Sequence, residues 1–220
     1  VGHSFAPSLS QEIVNTPEET KPGCYTLSCT RCDATENQYT FPDPATVYVS
    51  VGYMWKGEEV YKRVPALDLF SVEGTEIKSF STDALTHDVY DKDGNIKSST
   101  SVPQTDVFYV EIPLGAKTIF GAYRNGTPSG VFLRNNHLQV IEIPVSVVDI
   151  QQYAFSTMPN LKTVIGLENV SGTIGEYAFK QNSDSSFFVD HMVINAATVG
   201  NYAFQNARMI TLTFTKNVTR

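Results

Sequence analysis

From about residue 106 to the last residue, apolar and polar positions recur with a fixed period. The tripeptide Tyr-Ala-Phe occurs at Tyr153–Phe155, Tyr177–Phe179 and Tyr202–Phe204, with Phe-to-Phe spacings of 24 and 25 residues. An Ile or Val stands four residues before each Ala, at Ile150, Ile174 and Val199. A short polar gap separates these segments from apolar runs that begin at Leu138 (LQVIEIP), Leu161 (LKTVIGL), Val189 (VDHMVIN) and Met209 (MITLTFT). An earlier run, Val107–Ile119, has the same apolar spacing. It is followed by an insertion, FGAYRNGTPSG, and then by Val131-Phe132, where Ala-Phe is due, 23 residues before Phe155. A period of 20–50 residues marks a stacked array in which each repeat buries its apolar side against its neighbours.

Within LQVIEIP, strand alternation turns Leu138, Ile141 and Ile143 inward and Val140 and Glu142 outward. Pro144 cannot donate to a ladder and ends the strand. Stacked copies set such strands side by side in a parallel sheet. The Ala and Phe of each tripeptide then lie on the other side of the coil, Ala allowing close approach and Phe filling the interior, so Tyr-Ala-Phe reads as core. The same register sends Tyr109, Glu111, Val140, Glu142, Thr163, Ile165, His191, Val193, Thr211 and Thr213 outward. Together they form a face of mixed aromatic, acidic and aliphatic character, suited to a partner.

Three regions follow from the pattern: 1–43, polar, turn-rich and holding every Cys; 44–105, small and β-rich; and 106–220, about five repeats. In the middle region, Thr46–Trp55 is rich in β-branched and aromatic residues, and turns fall at Lys56-Gly57, Glu73-Gly74 and Asp93-Gly94-Asn95, which predicts antiparallel hairpins. The chain has no initiating Met and no signal peptide, and ends on TFTKNVTR in mid-pattern, as a fragment of a longer array would.

Composition narrows the function. A net charge of −7 disfavours nucleic acid, which requires clustered Lys and Arg. No run of about 18 apolar residues is present to span a membrane. None of His87, His137 and His191 stands beside a nucleophile in a catalytic motif. DVYDKDGNIKSS lacks the carboxylates a calcium loop needs at both ends, so it reads as a hairpin turn. The Asn-x-Ser/Thr triplets at Asn125, Asn169 and Asn217 are too short to carry an argument.

Asn135–Phe155, NNHLQVIEIPVSVVDIQQYAF, resembles the leucine-rich repeats of BspA-like bacterial surface proteins, with Leu, Ile, Pro and Ala-Phe all in step. The resemblance covers about 106–220. It implies an α/β leucine-rich-repeat right-handed solenoid, with short parallel strands on the concave face and little helix, behind a β-rich N-terminal region. It also implies a non-enzymatic module at the cell surface or outside the cell. Such a module binds a protein or glycan, host-derived in host-associated bacteria, through the outward residues named above. Two alternatives stand beside it: an architectural spacer, and an enzyme with a site between the β-rich region and the solenoid. The lengthened copy SDSSFFVDHM, the insertion in the first copy and the missing tripeptide in the last depart from the pattern, which puts uniform curvature in question.

The segment from Gly2 to Glu36 is similar to short extracellular repeats of the form GH-x-F with later Cys and Cys-x-x-Cys, except that Glu19 stands where the first Cys is due and Asp33 replaces a Gly. Cys24, Cys29 and Cys32 with His3 make a set of four ligands for a structural zinc ion, which takes S and N donors in a closed tetrahedron. One disulfide with a remaining thiol is the competing reading, favoured by an oxidising exterior. No other cofactor is indicated.

Overall fold

The computed structural model describes residues 12–29, 31–32, 34–182 and 188–215. Three antiparallel strands, β1 (Glu12–Asn15), β2 (Gly23–Ser28) and β3 (Thr35–Thr40), form the first sheet. Glu19, between β1 and β2, ties this sheet to the next part of the chain. Its carboxylate accepts the Tyr48 N–H at 2.9 Å and pairs with Arg63, whose hydrogen bond holds the carboxyl below the usual range. The position where the extracellular repeat pattern calls for a Cys thus carries an ionic tie.

The middle region is built of hairpins, as its turns predict. β4 (Tyr48–Trp55) and β5 (Glu58–Pro65) turn at Lys56-Gly57, with φ of 50° and 89°. Positive φ at both central residues matches the twist of a two-residue hairpin. One helical turn, α1 (Ala66–Leu69), leads into β6 (Phe70–Glu73) and β7 (Glu76–Phe80), joined over Gly74. β8 (Thr86–Tyr90) and β9 (Ile96–Ser101) pair alone. Asp91 fastens their turn by accepting the Asp93 and Asn95 N–H groups at 2.8 and 3.0 Å, a structural use for the carboxylate.

The repeats supply β10 (Val107–Glu111), β11 (Thr118–Ile119), an inserted hairpin of β12 (Gly121–Arg124) and β13 (Thr127–Gly130), then β14 (Val140–Glu142), β15 (Asp149–Ile150), β16 (Thr163–Ile165), β17 (Thr173–Ile174), β18 (Phe188–Ile194), β19 (Thr198–Val199) and β20 (Arg208–Phe214). Two sheets result, in the orders β16-β14-β10-β4-β5 and β19-β17-β15-β11-β7-β6. Their repeat strands run parallel. The first two middle-region hairpins complete these sheets: β4 pairs antiparallel with β10, and β7 parallel with β11. The two sheets therefore run on through the hairpin strands β4 to β7, across the position near 105 where the sequence suggests a boundary. Without them β10 and β11 would be open edges. The alternation of each hairpin reveals a buried face but not which edge it covers.

Each repeat contributes three inward points. Leu138, Ile141 and Ile143 are buried on the first sheet, as the alternation predicts, and Ile143 N–H makes the last ladder bond before Pro144. On the second sheet Ile77, Ile119, Ile150, Ile174 and Val199 stand in line. Between the sheets Phe132, Phe155, Phe179 and Phe204 stack ring on ring, with centroids 5.1, 4.9 and 5.4 Å apart. Phe80 and Phe70 extend this column into the hairpins. Among the described residues, helix is limited to α1 and three short 3-10 turns, and no helix is long and apolar enough to cross a membrane.

The Tyr of the tripeptide behaves differently from its Ala and Phe. Tyr153, Tyr177 and Tyr202 have φ of 63°, 57° and 58°, a left-handed conformation that costs about 1–2 kcal/mol for a residue with a Cβ. Bonds between repeats hold it there: Tyr153 and Tyr177 N–H donate to the carbonyls of Glu176 and Asn201. That turn points the side chain out of the coil. Tyr123, Tyr153, Tyr177 and Tyr202 form a second, outer column with centroids 5.1–5.6 Å apart. Tyr-Ala-Phe is core only in its last two residues.

Candidate functional site

The outer face of the five-stranded sheet gathers most of the residues that the alternation sends outward. Tyr109, Val140 and Thr163 are registered across β10, β14 and β16, and so are Glu111, Glu142 and Ile165. Tyr109 and Val140 are half-buried, whereas Thr163 and Ile165 are exposed. The buried partners Val110 and Ile141 lie between the two rows, as a period of two requires.

The hairpin strands extend this face with residues that repeat periodicity could not supply. Gly52 of β4 sits opposite both Tyr61 and Tyr109, and its missing side chain lets Tyr61 lie across the strand. Tyr61 meets Phe108 and Tyr109 edge-on, at 5.8 and 5.7 Å. A β-bulge between Val107 and Tyr109 brings Phe108 into this group. A Cβ at position 52 would stand 3.0 Å from Tyr109 Cβ and Tyr61 Cε1. Gly52→Val is therefore expected to lower stability by about 1–3 kcal/mol and to alter the near-ultraviolet dichroism of the tyrosines.

A hydrogen bond fixes Tyr109 within this group, and a second holds Glu111 beside it. Tyr109 Oη donates to Glu142 Oε2 at 2.7 Å, and Ser50 N–H donates to Glu111 Oε2 at 3.0 Å. Burial, then Glu142, pushes the Tyr109 phenol well above its ordinary value, in keeping with its role as donor to Glu142. Lys162 Nζ donates to Gln139 Oε1 at 2.8 Å beside the lower strands. The result is an ordered platform of three rings flanked by two carboxylates and two exposed or half-exposed aliphatics.

The remaining outward residues stand apart. β18 and β20 pair in parallel, with His191 beside Thr211 and Val193 beside Thr213, but they form a separate two-stranded sheet. The single sheet that uniform stacking implies is interrupted after β16, at the copy that the sequence lengthens through SDSSFFVDHM. His191, Thr211 and Thr213 are exposed and Val193 half-buried.

Of the four zinc-ligand candidates, His3 lies outside the described residues. Cys24 is buried near the start of β2, five positions before Cys29, which is buried and bonded through its N–H to Ala34. Five residues of extended chain separate two Cα atoms by roughly 16 Å and turn their side chains to opposite faces. Cys29 and the exposed Cys32 flank the turn at the far end. Among the described residues no group of three His, Cys, Asp or Glu side chains converges as a metal shell.

A cleft of about 800 Å³ opens on the other sheet. Its floor is the outer side of β7, β11, β15 and β17, carrying Glu76, Thr118, Asp149 and Thr173. Its wall is the inserted hairpin β12–β13. The hairpin turns at Asn125-Gly126, both at positive φ, and the dipeptide Asn-Gly is itself the signal that could have found it. Gly121 and Gly130, its first and last residues, lie flush on the backbone of 152–154, where a Cβ would come within 2.0 and 2.5 Å of a carbonyl oxygen. Lys78 pairs with Glu76 and Glu73 and lies 4.8 Å over the Phe120 ring. Gln151 bridges floor and wall, donating to Glu76 at 2.9 Å and accepting the Gly121 N–H at 3.1 Å.

Compared with known proteins, residues 127–220 match the BspA type leucine rich repeat region, in six copies. No curated protein and no solved structure matches the chain.

Proposed function

Because residues 127–220 match the BspA type leucine rich repeat region, we propose that the chain is a non-enzymatic recognition module of the cell surface. In this reading the repeats wind as a right-handed solenoid and hold a protein partner against the outer face of the five-stranded sheet. The observation that carries the reading is the platform of Tyr61, Phe108 and Tyr109, locked by the Tyr109–Glu142 hydrogen bond beside Val140 and Ile165. Aromatic anchors held rigid before binding lose little conformational entropy on contact, and such residues dominate interface energetics. A pure spacer needs no such group.

Catalysis is less well supported by the cleft than recognition is. Of its three carboxylates, Glu76 is held by Lys78 and Gln151, and Asp149 accepts the Thr173 N–H at 2.7 Å. Among the described residues Glu176 alone of the three has no such partner, and paired acid–base chemistry needs two available groups. For the Cys-containing segment, the zinc proposal narrows to Cys29 and Cys32 with ligands from outside the described residues. Metal analysis of chelator-free protein tests it.

The binding reading is tested with the intact chain against a panel of purified secreted proteins, measured by surface plasmon resonance. For a partner so found, Tyr109→Ala with Glu142→Ala is expected to weaken binding at least about tenfold while the circular dichroism spectrum is kept. Unchanged affinity in the folded double variant would remove this face from the function.

A further inference from the structure

The inserted hairpin interrupts the repeat pattern without contributing to the column of Phe rings, and it forms the wall of the cleft. We propose that this cleft is a carbohydrate-binding site, taking an oligosaccharide that carries no acidic groups. The proposal stands on the second sheet and does not depend on the reading of the first.

Three observations support it. First, the cleft is an open groove of about 800 Å³, large enough to seat a small ligand. Second, the polar groups on offer are planar and bidentate. Among the described residues the side chains of Gln152, Glu176 and Arg124 line the cleft without a hydrogen bond inside the protein. An amide, a carboxylate and a guanidinium each present paired donors or acceptors, the arrangement that adjacent hydroxyls of a sugar ring satisfy. Third, Tyr123 stands on the wall with its ring stacked 5.6 Å from Tyr153 and 51% of the residue exposed. A fixed, amphipathic ring beside such groups suits the apolar C–H face of a pyranose.

The floor sets the shape of the ligand. Its outward residues come from four successive strands, so they repeat at about 4.8 Å, close to the advance of one sugar unit in an extended chain. The charges set its class. Lys78 is already neutralised by Glu76 and Glu73, which leaves Asp149 and Glu176 against Arg124 alone. Sulfated or carboxylated sugars would meet net repulsion. A peptide added as a further strand is excluded, because each floor strand is paired on both sides.

The test is isothermal titration of the intact chain with cellohexaose, xylohexaose, maltohexaose, mannohexaose and chitosan hexamer, alongside a heparin hexasaccharide and an oligolysine peptide. At least one of the five acid-free sugars is expected to bind with a Kd of about 10 μM to 1 mM. Tyr123→Ala is expected to weaken that binding about tenfold or more, Gln152→Ala several-fold, and Tyr123→Trp to retain it. The Tyr109→Ala/Glu142→Ala variant should bind the sugar unchanged, so failure here is separable from failure of the protein-binding face. The proposal is overturned if none of the five binds at millimolar concentration, or if only heparin or oligolysine binds. It is equally overturned if folded Tyr123→Ala and Gln152→Ala both keep full affinity.

Discussion

Phe179→Ala is expected to destabilise the chain by about 3–5 kcal/mol, lowering the melting temperature by roughly 6–20 °C. Phe179 is fully buried and sandwiched between Phe155 and Phe204, with interplanar angles of 3° and 6°. Truncation removes the transfer energy of the ring and leaves a cavity. The lining cannot close it, because the rings on either side are set by backbone bonds between repeats: Phe155 N–H to Ala178, and Phe179 N–H to Ala203. Phe179→Leu separates packing volume from ring stacking. It keeps most of the apolar bulk and should lose about 0.5–1.5 kcal/mol for the aromatic contacts, plus a smaller cavity cost. Differential scanning calorimetry of the three proteins is the measurement. A Phe179→Ala melt within a degree or two of the parent would mean that the column contributes little to stability.

The period was legible because every repeat solves the same packing problem. Ile141, Ile150, Ala154 and Phe155 each have a counterpart one coil away, so a sequence period of 23–25 residues becomes a spatial ladder. The outward register of Tyr109, Val140, Thr163, Glu111, Glu142 and Ile165 followed from that ladder without further information. Features made by a single copy were not legible in this way. Gly52 matters only because β4 pairs with β10, and no local pattern in β4 names its partner. The cleft depends on where an insertion rests, a matter of Gly121 and Gly130 meeting the backbone of the following coil. The Tyr of the tripeptide misled for a third reason. Its identity suggested core, but the turn places it in the left-handed region, and there the side chain leaves the interior. Residues that break the period, or sit where the backbone turns, carry the features that differ between this chain and a uniform array. Both candidate sites lie where repeats meet such residues: the platform at the junction with the β4–β5 hairpin, and the cleft at the insertion.

Gln181→Leu is expected to cost about 2–4 kcal/mol, although it replaces a polar residue with an apolar one of similar size at a fully buried position. Gln181 Oε1 accepts the Met158 N–H at 2.8 Å, and Nε2 reaches the carbonyls of Phe179 and Phe155 at 3.3 and 3.5 Å. The side chain is a clip between one coil and the next, satisfying backbone groups of fully buried residues. Leu leaves the Met158 N–H without an acceptor, at about 1–3 kcal/mol, and adds the loss of the weaker contacts to the two carbonyls. Gln181→Glu gives the complementary result. Its carboxylate still accepts from Met158, but burial and two facing carbonyls disfavour the charge, raising the folded-state pKa above the unfolded value of about 4.3. The folded state then binds the proton more tightly than the unfolded one. Stability should therefore be highest below that pH and decline as pH rises toward the folded-state pKa. Urea denaturation of the parent, Gln181→Leu and Gln181→Glu proteins from pH 4 to pH 8 tests both statements. Gln181→Leu should be weaker at every pH by a nearly constant amount, and Gln181→Glu should approach the parent only at the acid end. A Gln181→Leu protein as stable as the parent would show that the clip contributes nothing beyond volume.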